Sequence, residues 1–374
     1  MRVLLASFGP DNAHTGLGKW THRTAAELRS SGHEVTLWFG DDFPVAQRAG
    51  RFAVLVAPIA LAARLAARRR TFDVAVLHEP TGWWCTVLAS WMRPFPAVVA
   101  VCHNVESKVA RLLDEAARRR FARRTRWGWL TVPLFRRWQS DGVIRRARAV
   151  ICLSEEDRAY IADARLRPVG GVTVIPNGAD PPVTPVPAAP SGTHPVLFVG
   201  GWIDVKGRRL LPPLWAAVHA GCPEARLTLV GTGAPAEAVL SEFPPDVRQT
   251  LTVYPHVADP ERMAAIVAQH TILLVPSLSE GSPLAMLEAM AAGLAVVAAR
   301  VGGVPDIVRH ECEGLLFRPL DPEDGAAQAL RLLAEPDLVR ALAAAAAARA
   351  RTFTWERSAR ALVEVAARAA AGSD

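Results

Sequence analysis

The sequence predicts an α/β protein built from two doubly wound, Rossmann-like domains, and three observations carry that prediction. Short apolar runs that read as buried strands alternate with segments of helical spacing through both halves of the chain. A stretch at 181–195 holds six prolines without periodicity and reads as a linker between the halves. At 374 residues and 51% hydrophobic composition the chain exceeds one typical core and suits two. The domains are expected at 1–180 and 196–354, with a last helix at 355–371.

In the first half, 2–6 is a strand, 7–19 a loop, 20–30 a helix closed by Gly32, and 34–39 the next strand. Apolar runs at 54–56, 74–77 and 97–101 predict further buried strands, 147–154 returns to a strand, and Glu155-Glu-Asp157 opens a helix. His103 directly follows the run 97–101, so it falls at the carboxyl edge, where open parallel sheets bind ligands. Taken alone, a histidine in such a position is more often structural. His78-Glu-Pro80 follows another strand at the same edge and is a weaker candidate. Thr15-Gly-Leu-Gly18 lacks the third glycine of the dinucleotide fingerprint, which weakens a redox reading. The second half repeats the grammar, with strands at 196–200, 226–231, 251–254, 271–275, 295–298 and 314–317 and helices at 322–334 and 337–350.

The most informative stretch is 276–293, which follows the apolar run 271–275. Ser282 suits an N-cap, Pro283 the first helical position, and Gly293 the residue after the end. The stretch Gly281-Ser282-Pro283-Leu284, with its free backbone N–H groups at the positive end of a helix, predicts an anion site. Glu280 precedes it and Glu288 lies in the helix on the face of Leu284. Carboxylates beside an anion site are electrostatically odd unless the ligand also offers hydroxyls, and a nucleotide sugar offers both. Either glutamate alone fits a surface role; their combined pattern is far more specific. Lys206, just after the first strand of the second half, is placed to reach a diphosphate.

Glu280 and Glu288, within Pro-Ser-x-x-Glu-Gly…Glu-Ala-Met-Ala-x-Gly, resemble the signature of the family 4 retaining glycosyltransferases. The resemblance extends to Gly32-His-Glu-Val35, to Ile175-Pro-Asn-Gly-Ala-Asp180 at the end of the first half, and to the lysine of Gly-Arg-x-x-x-x-Lys-Gly, which is Lys206 here. It implies the GT-B fold, with the carboxyl edges of both sheets facing across a cleft and the last helix packing back on the first domain. It implies that Gly16 lets the backbone approach the donor diphosphate and that His103 contacts the transferred sugar. Glu280 would position sugar hydroxyls and Glu288 the ribose hydroxyls. The chemistry implied is transfer from a nucleoside-diphosphate sugar, retaining the anomeric configuration, with no cofactor and no protein nucleophile; with no Asp-x-Asp motif and no His/Cys cluster in the sequence, no catalytic metal is expected. This sequence departs from the family at Gly201, where arginine is usual, at Pro255 for glycine, and at Asp306 for glutamate. Gly201 then leaves the diphosphate to Lys206 and backbone N–H groups, ahead of Arg208 or Arg209, which are expected to begin the following helix and point away, or of a basic residue from the first domain on closure.

Net charge of +7 points to an acidic partner or to genomic composition alone. Thirteen of the residues in 108–148 are Lys or Arg, interleaved with Trp127, Trp129, Phe135 and Trp138. That mix predicts either an anionic membrane surface beside a lipid-linked acceptor or a solvated face with its tryptophans turned inward. No nucleic-acid motif accompanies the charge, so no nucleic-acid partner is expected. The five scattered cysteines fit reduced thiols rather than disulfides or zinc, and no run is long enough to span a membrane. A cytoplasmic enzyme of bacterial type, peripheral to the inner face of a membrane, is the expectation. The products would serve cell-envelope glycan, glycolipid or secondary-metabolite synthesis. The competing readings are a nucleotide-sugar epimerase or other GT-B enzyme, and a basic membrane- or nucleic-acid-binding module.

Overall fold

The computed structural model describes residues 1–13, 15–123, 132–180 and 194–372. It divides into two compact units. The first holds the described residues of 1–110, 125–178 and 355–374, and the second those of 111–124 and 179–354.

In the first unit, β1 (Arg2–Ala6), β2 (Glu34–Trp38), β3 (Val74–His78), β4 (Ala97–Cys102), β5 (Ala149–Cys152) and β6 (Val172–Val174) form a six-stranded parallel sheet in the order β2-β1-β3-β4-β5-β6. In the second, β7 (His194–Val199), β8 (Ala225–Val230), β9 (Leu251–Tyr254), β10 (Ile272–Val275), β11 (Ala295–Ala299) and β12 (Gly314–Phe317) form another, in the order β12-β11-β10-β7-β8-β9. Helices cover both faces of such sheets, so central strands read as continuous apolar runs. Accordingly β3 and β11 are buried at every residue. The strand order reverses between β1 and β3 in the first sheet and between β7 and β10 in the second. The carboxyl ends at those two reversals are where each sheet leaves a crevice for a ligand.

Three local expectations are corrected. The run 54–56 is not a strand but lies in the helix Ala53–Ala67, whose Ala57, Leu61, Ala62 and Leu65 recur at helical spacing and are buried. Its apolar residues are dense enough to mask the period over three positions, and Pro58 sits inside the helix, where it has no N–H to donate to the Val54 carbonyl. The first helix spans Gly16–Ser30 and begins four residues earlier than 20–30, because Thr15 caps it by accepting from the Gly18 N–H at 3.1 Å. The helix in 276–293 spans Leu284–Ala291 with Pro283, not Ser282, at the N-cap.

The last helix, Trp355–Ala371, packs on Gly16–Ser30 and on β3, β4 and β5, and Ser358 Oγ donates to the Pro176 carbonyl at 2.6 Å. The basic stretch folds in part as the helices Glu106–Arg118 and Val132–Arg146. Trp127 and Trp129, and the linker positions 181–193, lie outside the described residues. Residues 111–123 group with the second unit through a small cluster of Ala116, Ala122 and Leu278. All five cysteines are free, and among the described residues no helix is long and apolar enough to cross a membrane.

Candidate active site

At the reversal of the second sheet, three loops converge on Glu280. Its carboxylate accepts from Lys206 Nζ at 2.7 and 2.9 Å and from Ser277 Oγ at 2.6 Å, with the Glu280 side chain 5% exposed and that of Lys206 34%. The backbone is equally constrained. Gly303 N–H donates to the Glu280 carbonyl at 3.1 Å, and a Cβ on Gly302 (φ +54°) would lie 1.7 Å from that same oxygen. Gly207 (φ +84°) closes the turn carrying Lys206, where a Cβ would meet the Pro276 carbonyl at 2.1 Å. Leu278 N–H donates to the Val205 carbonyl at 2.8 Å, stitching the two turns together.

A pocket opens here, lined by Lys206, Ser277, Glu280, Pro283 and Leu284 among others. The helix Leu284–Ala291 starts at its wall, and the Met286 and Leu287 N–H groups both turn back to the Pro283 carbonyl at 3.1 Å. The first helical N–H groups, of Leu284 and Ala285, have no acceptor within the helix. Pro283 itself has no N–H, so the anion-binding donors expected over 281–284 exclude it. Gly281 and Ser282 are buried in the loop ahead of the helix, and Glu288 lies one turn beyond Leu284, half-buried. Gly201 follows β7, and a Cβ there would meet only Ile203 Cγ1, at 4.0 Å. The two neighbouring arginines already have partners. Arg208 forks onto Glu242, its Nε 2.9 Å from both oxygens, and Arg209 Nε lies 3.3 Å from Asp204. They precede the helix Leu211–Gly221 rather than beginning it.

At the reversal of the first sheet the groups are of another kind. His78 ends β3 and His103 follows β4, and His103 Nε2 lies 2.7 Å from His78 Nδ1 with the ring planes 19° apart. Buried Trp20 stands across both rings, at 82° and 89°. Burial lowers His103 to about 4, and burial and then the neighbouring His103 hold His78 well below the ordinary histidine value. Burial also pushes the Glu79 carboxyl up to about 7, against the hydrogen bonds that favour its charge, from the Cys102 thiol, from Ser140 Oγ and from the Glu106 N–H at 3.1 Å. Gly18 is fixed by packing, since a Cβ would sit 1.9 Å from the Asn12 carbonyl, whereas a Cβ on Gly16 would meet nothing within 4 Å.

The structure thus brings Lys206 and Glu280 into direct contact and gathers Gly281, Ser282, Pro283 and Leu284 around them, while Gly16 and His103 belong to the first unit. Sequence reasoning missed Ser277, whose i→i+3 spacing to Glu280 was the available signal, and Gly302 and Gly303, which hold the Glu280 backbone. It also missed that His78 and His103 form one unit. In the basic stretch, Trp138 is 50% exposed and rests against Trp83 at 4.4 Å, and Arg119 pairs with Glu115 and Arg136 with Glu106. Among the described residues no group of three or more His, Cys, Asp or Glu is arranged to hold a metal ion.

Two families match this chain in tandem: residues 14–182 match Glycosyltransferase Family 4, and residues 193–335 match glycosyl transferases group 1. The chain is 30% identical over 244 residues to a D-inositol 3-phosphate glycosyltransferase of Nocardiopsis dassonvillei, covering 60% of this chain and 57% of that one. To the protein of the same name from Segniliparus rotundus it is 34% identical over 169 residues, 44% of this chain and 37% of that one. The chain therefore spans only part of the length of these curated relatives. In fold it is similar to sucrose-phosphate synthase from Thermosynechococcus elongatus (TM-score 0.79, 20% identity, all of both chains). It is also similar to Anabaena HepE in complex with UDP-glucose (TM-score 0.71, 17% identity, 97% of this chain and 98% of that one). With Glycosyltransferase Family 4 matched over residues 14–182 and glycosyl transferases group 1 over residues 193–335, each half of the chain matches a glycosyltransferase family on a parallel six-stranded sheet.

Proposed function

We propose that the protein is a retaining, metal-independent hexosyltransferase that moves a sugar from a nucleoside-diphosphate sugar to an acceptor hydroxyl. The observation that carries this reading is Glu280, held by Lys206 and Ser277 beside the first turn of a helix at the sheet reversal. A carboxylate suited to sugar hydroxyls there adjoins an ammonium and backbone N–H groups suited to phosphate. Two of the ammonium's three protons go to Glu280, leaving one for a phosphate oxygen. Glu280 is assigned the transferred sugar, Glu288 the ribose, Gly16 and Gly201 close approach of the backbone to the ligand, and His103 a sugar hydroxyl.

In the step proposed, the bond from the anomeric carbon to the leaving phosphate oxygen breaks as the acceptor oxygen bonds on the same face. The acceptor's proton passes to the departing phosphate oxygen, and no protein nucleophile and no cofactor takes part. The charge of the leaving diphosphate falls on Lys206 and the helix N-terminus, the reason no cation is invoked. The solved neighbour with UDP-glucose makes a UDP-sugar the first donor to try. The relatives named for D-inositol 3-phosphate make a phosphorylated cyclitol the first acceptor, beside lipid-linked ones.

The test is mass spectrometry of products from a panel of UDP-, GDP- and ADP-sugars with those acceptors, with NMR of the new anomeric centre, with and without chelator. Transfer with retention, unchanged by chelator, is expected; donor converted to another sugar without transfer would replace this reading by an epimerase. For attachment to an anionic membrane, exposed Arg118, Arg119, Arg120 and Arg123 in one unit, and Arg145 and half-exposed Trp138 in the other, are the support. Equal co-sedimentation with neutral and anionic vesicles at low salt would end that part.

A further inference from the structure

We infer that His78 is a positioning residue for His103: it donates its Nδ1–H to His103 Nε2 and so leaves His103 with its own proton on Nδ1, as a donor to a ligand hydroxyl oxygen. The inference rests on the reading of His103 as a ligand-contacting group.

A 2.7 Å separation between His103 Nε2 and His78 Nδ1 requires one proton between them, and two arrangements of neutral rings supply it. If His103 donated, the His78 proton would sit on Nε2. That atom is buried with no hydrogen-bond partner among the described residues, so it would be an orphaned N–H. If His78 donates, the same atom is only a bare lone pair. Buried unpaired donors are rarer and costlier than buried unpaired acceptors, so the second arrangement wins. Both rings are neutral near pH 7, since burial lowers each, so the pair does not confront two donors.

The framework around the pair resists rearrangement. His78 is the last residue of β3, in register with Val101 of β4, two residues before His103. Trp20 stands nearly perpendicular to both rings, with centroids 4.9 and 5.2 Å away, and limits their rotation. His103 is only half-buried, and its second nitrogen is the one left for a ligand. A histidine whose tautomer is set by a second-layer partner is a recurrent device where one ring nitrogen must play a fixed role.

The experiment uses the full chain labelled with 15N-histidine and long-range 1H–15N correlation spectra at neutral pH, without ligand. In the wild type His103 should show a protonated Nδ1 and a bare Nε2. His78→Phe should lose that state and shift the His103 proton toward Nε2. His78→Asn, whose amide nitrogen replaces Nδ1–H, should keep it. Turnover of UDP-glucose should fall roughly 10–100-fold in His78→Phe, the scale for a partner that orients a histidine, and recover to within a few-fold in His78→Asn. Equal losses in both variants would reduce His78 to a packing residue and overturn the inference. A wild-type His103 protonated on Nε2 would overturn it directly, whether or not the variants fold. If the tautomer is as stated but His103→Ala turns over UDP-glucose at the wild-type rate, the ligand role of His103 fails while the pairing stands.

Discussion

Removing the Lys206 ammonium should harm this protein twice, and the two losses can be measured separately. Lys206→Ala strips two charge-assisted hydrogen bonds, at 2.7 and 2.9 Å, from a carboxylate that is 5% exposed and leaves it, among the described residues, the Ser277 hydroxyl. At that separation the bare attraction is roughly 6 kcal/mol at an effective dielectric of about 20. Stranding one partner of a fully buried pair costs about 3–5 kcal/mol. Lys206 is 34% exposed, so water screens part of this, and a stability loss of about 2–3 kcal/mol is expected from urea unfolding. The same ammonium is the proposed support for the leaving diphosphate. Its loss should therefore also cost roughly 30–1000-fold in kcat/KM. Arg208→Ala and Arg209→Ala should cost much less, because those side chains are already engaged with Glu242 and Asp204. Glu280→Gln should keep the fold and lose about a hundredfold in turnover. In the double variant Lys206→Ala/Glu280→Gln, the stability loss of Lys206→Ala should largely disappear, since no buried charge is left unpaired. An arginine variant falling further than the lysine variant, or a double variant no more stable than Lys206→Ala, would refute the assignment.

Gly302→Ala should destabilise the second unit by about 2–3 kcal/mol or prevent its folding, because φ is +54° and the new methyl would strike the Glu280 carbonyl; thermal unfolding reads this. Gly201→Arg should fold normally, since its Cβ meets only Ile203 Cγ1 at 4.0 Å, and should lower KM for the donor by adding a second cation; an unchanged KM would show that the diphosphate lies elsewhere. Glu79→Gln should flatten the pH dependence of stability. Burial raises the Glu79 carboxyl from 4.5 to about 7, so its contribution is fully present below about 4.5 and is lost as pH rises through 7. Relative to wild type, the variant should recover about 2–3 kcal/mol between pH 5 and 8 by urea unfolding, and parallel curves would contradict the assignment.

The sequence made both sheets legible because buried parallel strands are short, apolar and bounded by turn residues, as at Ala295–Ala299. The same criterion failed at 54–56, where three apolar residues in a helix look like a strand until the period is followed through Leu61 and Leu65. The Glu280–Lys206 pair is 74 positions apart in sequence; each residue could be picked out singly, but their contact depends on the register of β10 with β7. Likewise His78 and His103 were both visible at strand ends, and only the pairing of β3 with β4 sets their nitrogens 2.7 Å apart. The N-cap slipped by one residue because Ser282 and Pro283 are both good residues for a helix start, and only the backbone angles choose between them.

The chemistry of the two sheet edges argues for which unit holds the donor, independently of any relative. Around His78 and His103 the titratable groups are pushed toward neutrality: His103 is lowered to about 4, His78 is held well below its ordinary value, and Glu79 is raised to about 7. Groups that burial keeps neutral can donate and accept hydrogen bonds to hydroxyls, but they cannot compensate a dianion. At the edge of the second sheet a lysine ammonium adjoins the open first turn of a helix, and the Glu280 carboxylate beside it is tied by Lys206 and Ser277. Of these two clusters, the one around Lys206 is suited to the charge that appears when a nucleoside diphosphate leaves. Binding of UDP should accordingly weaken with added salt and nearly vanish in Lys206→Ala, while His103→Ala leaves UDP affinity within about twofold and acts on sugar turnover alone. Loss of UDP affinity in His103→Ala by titration calorimetry would break this division of labour.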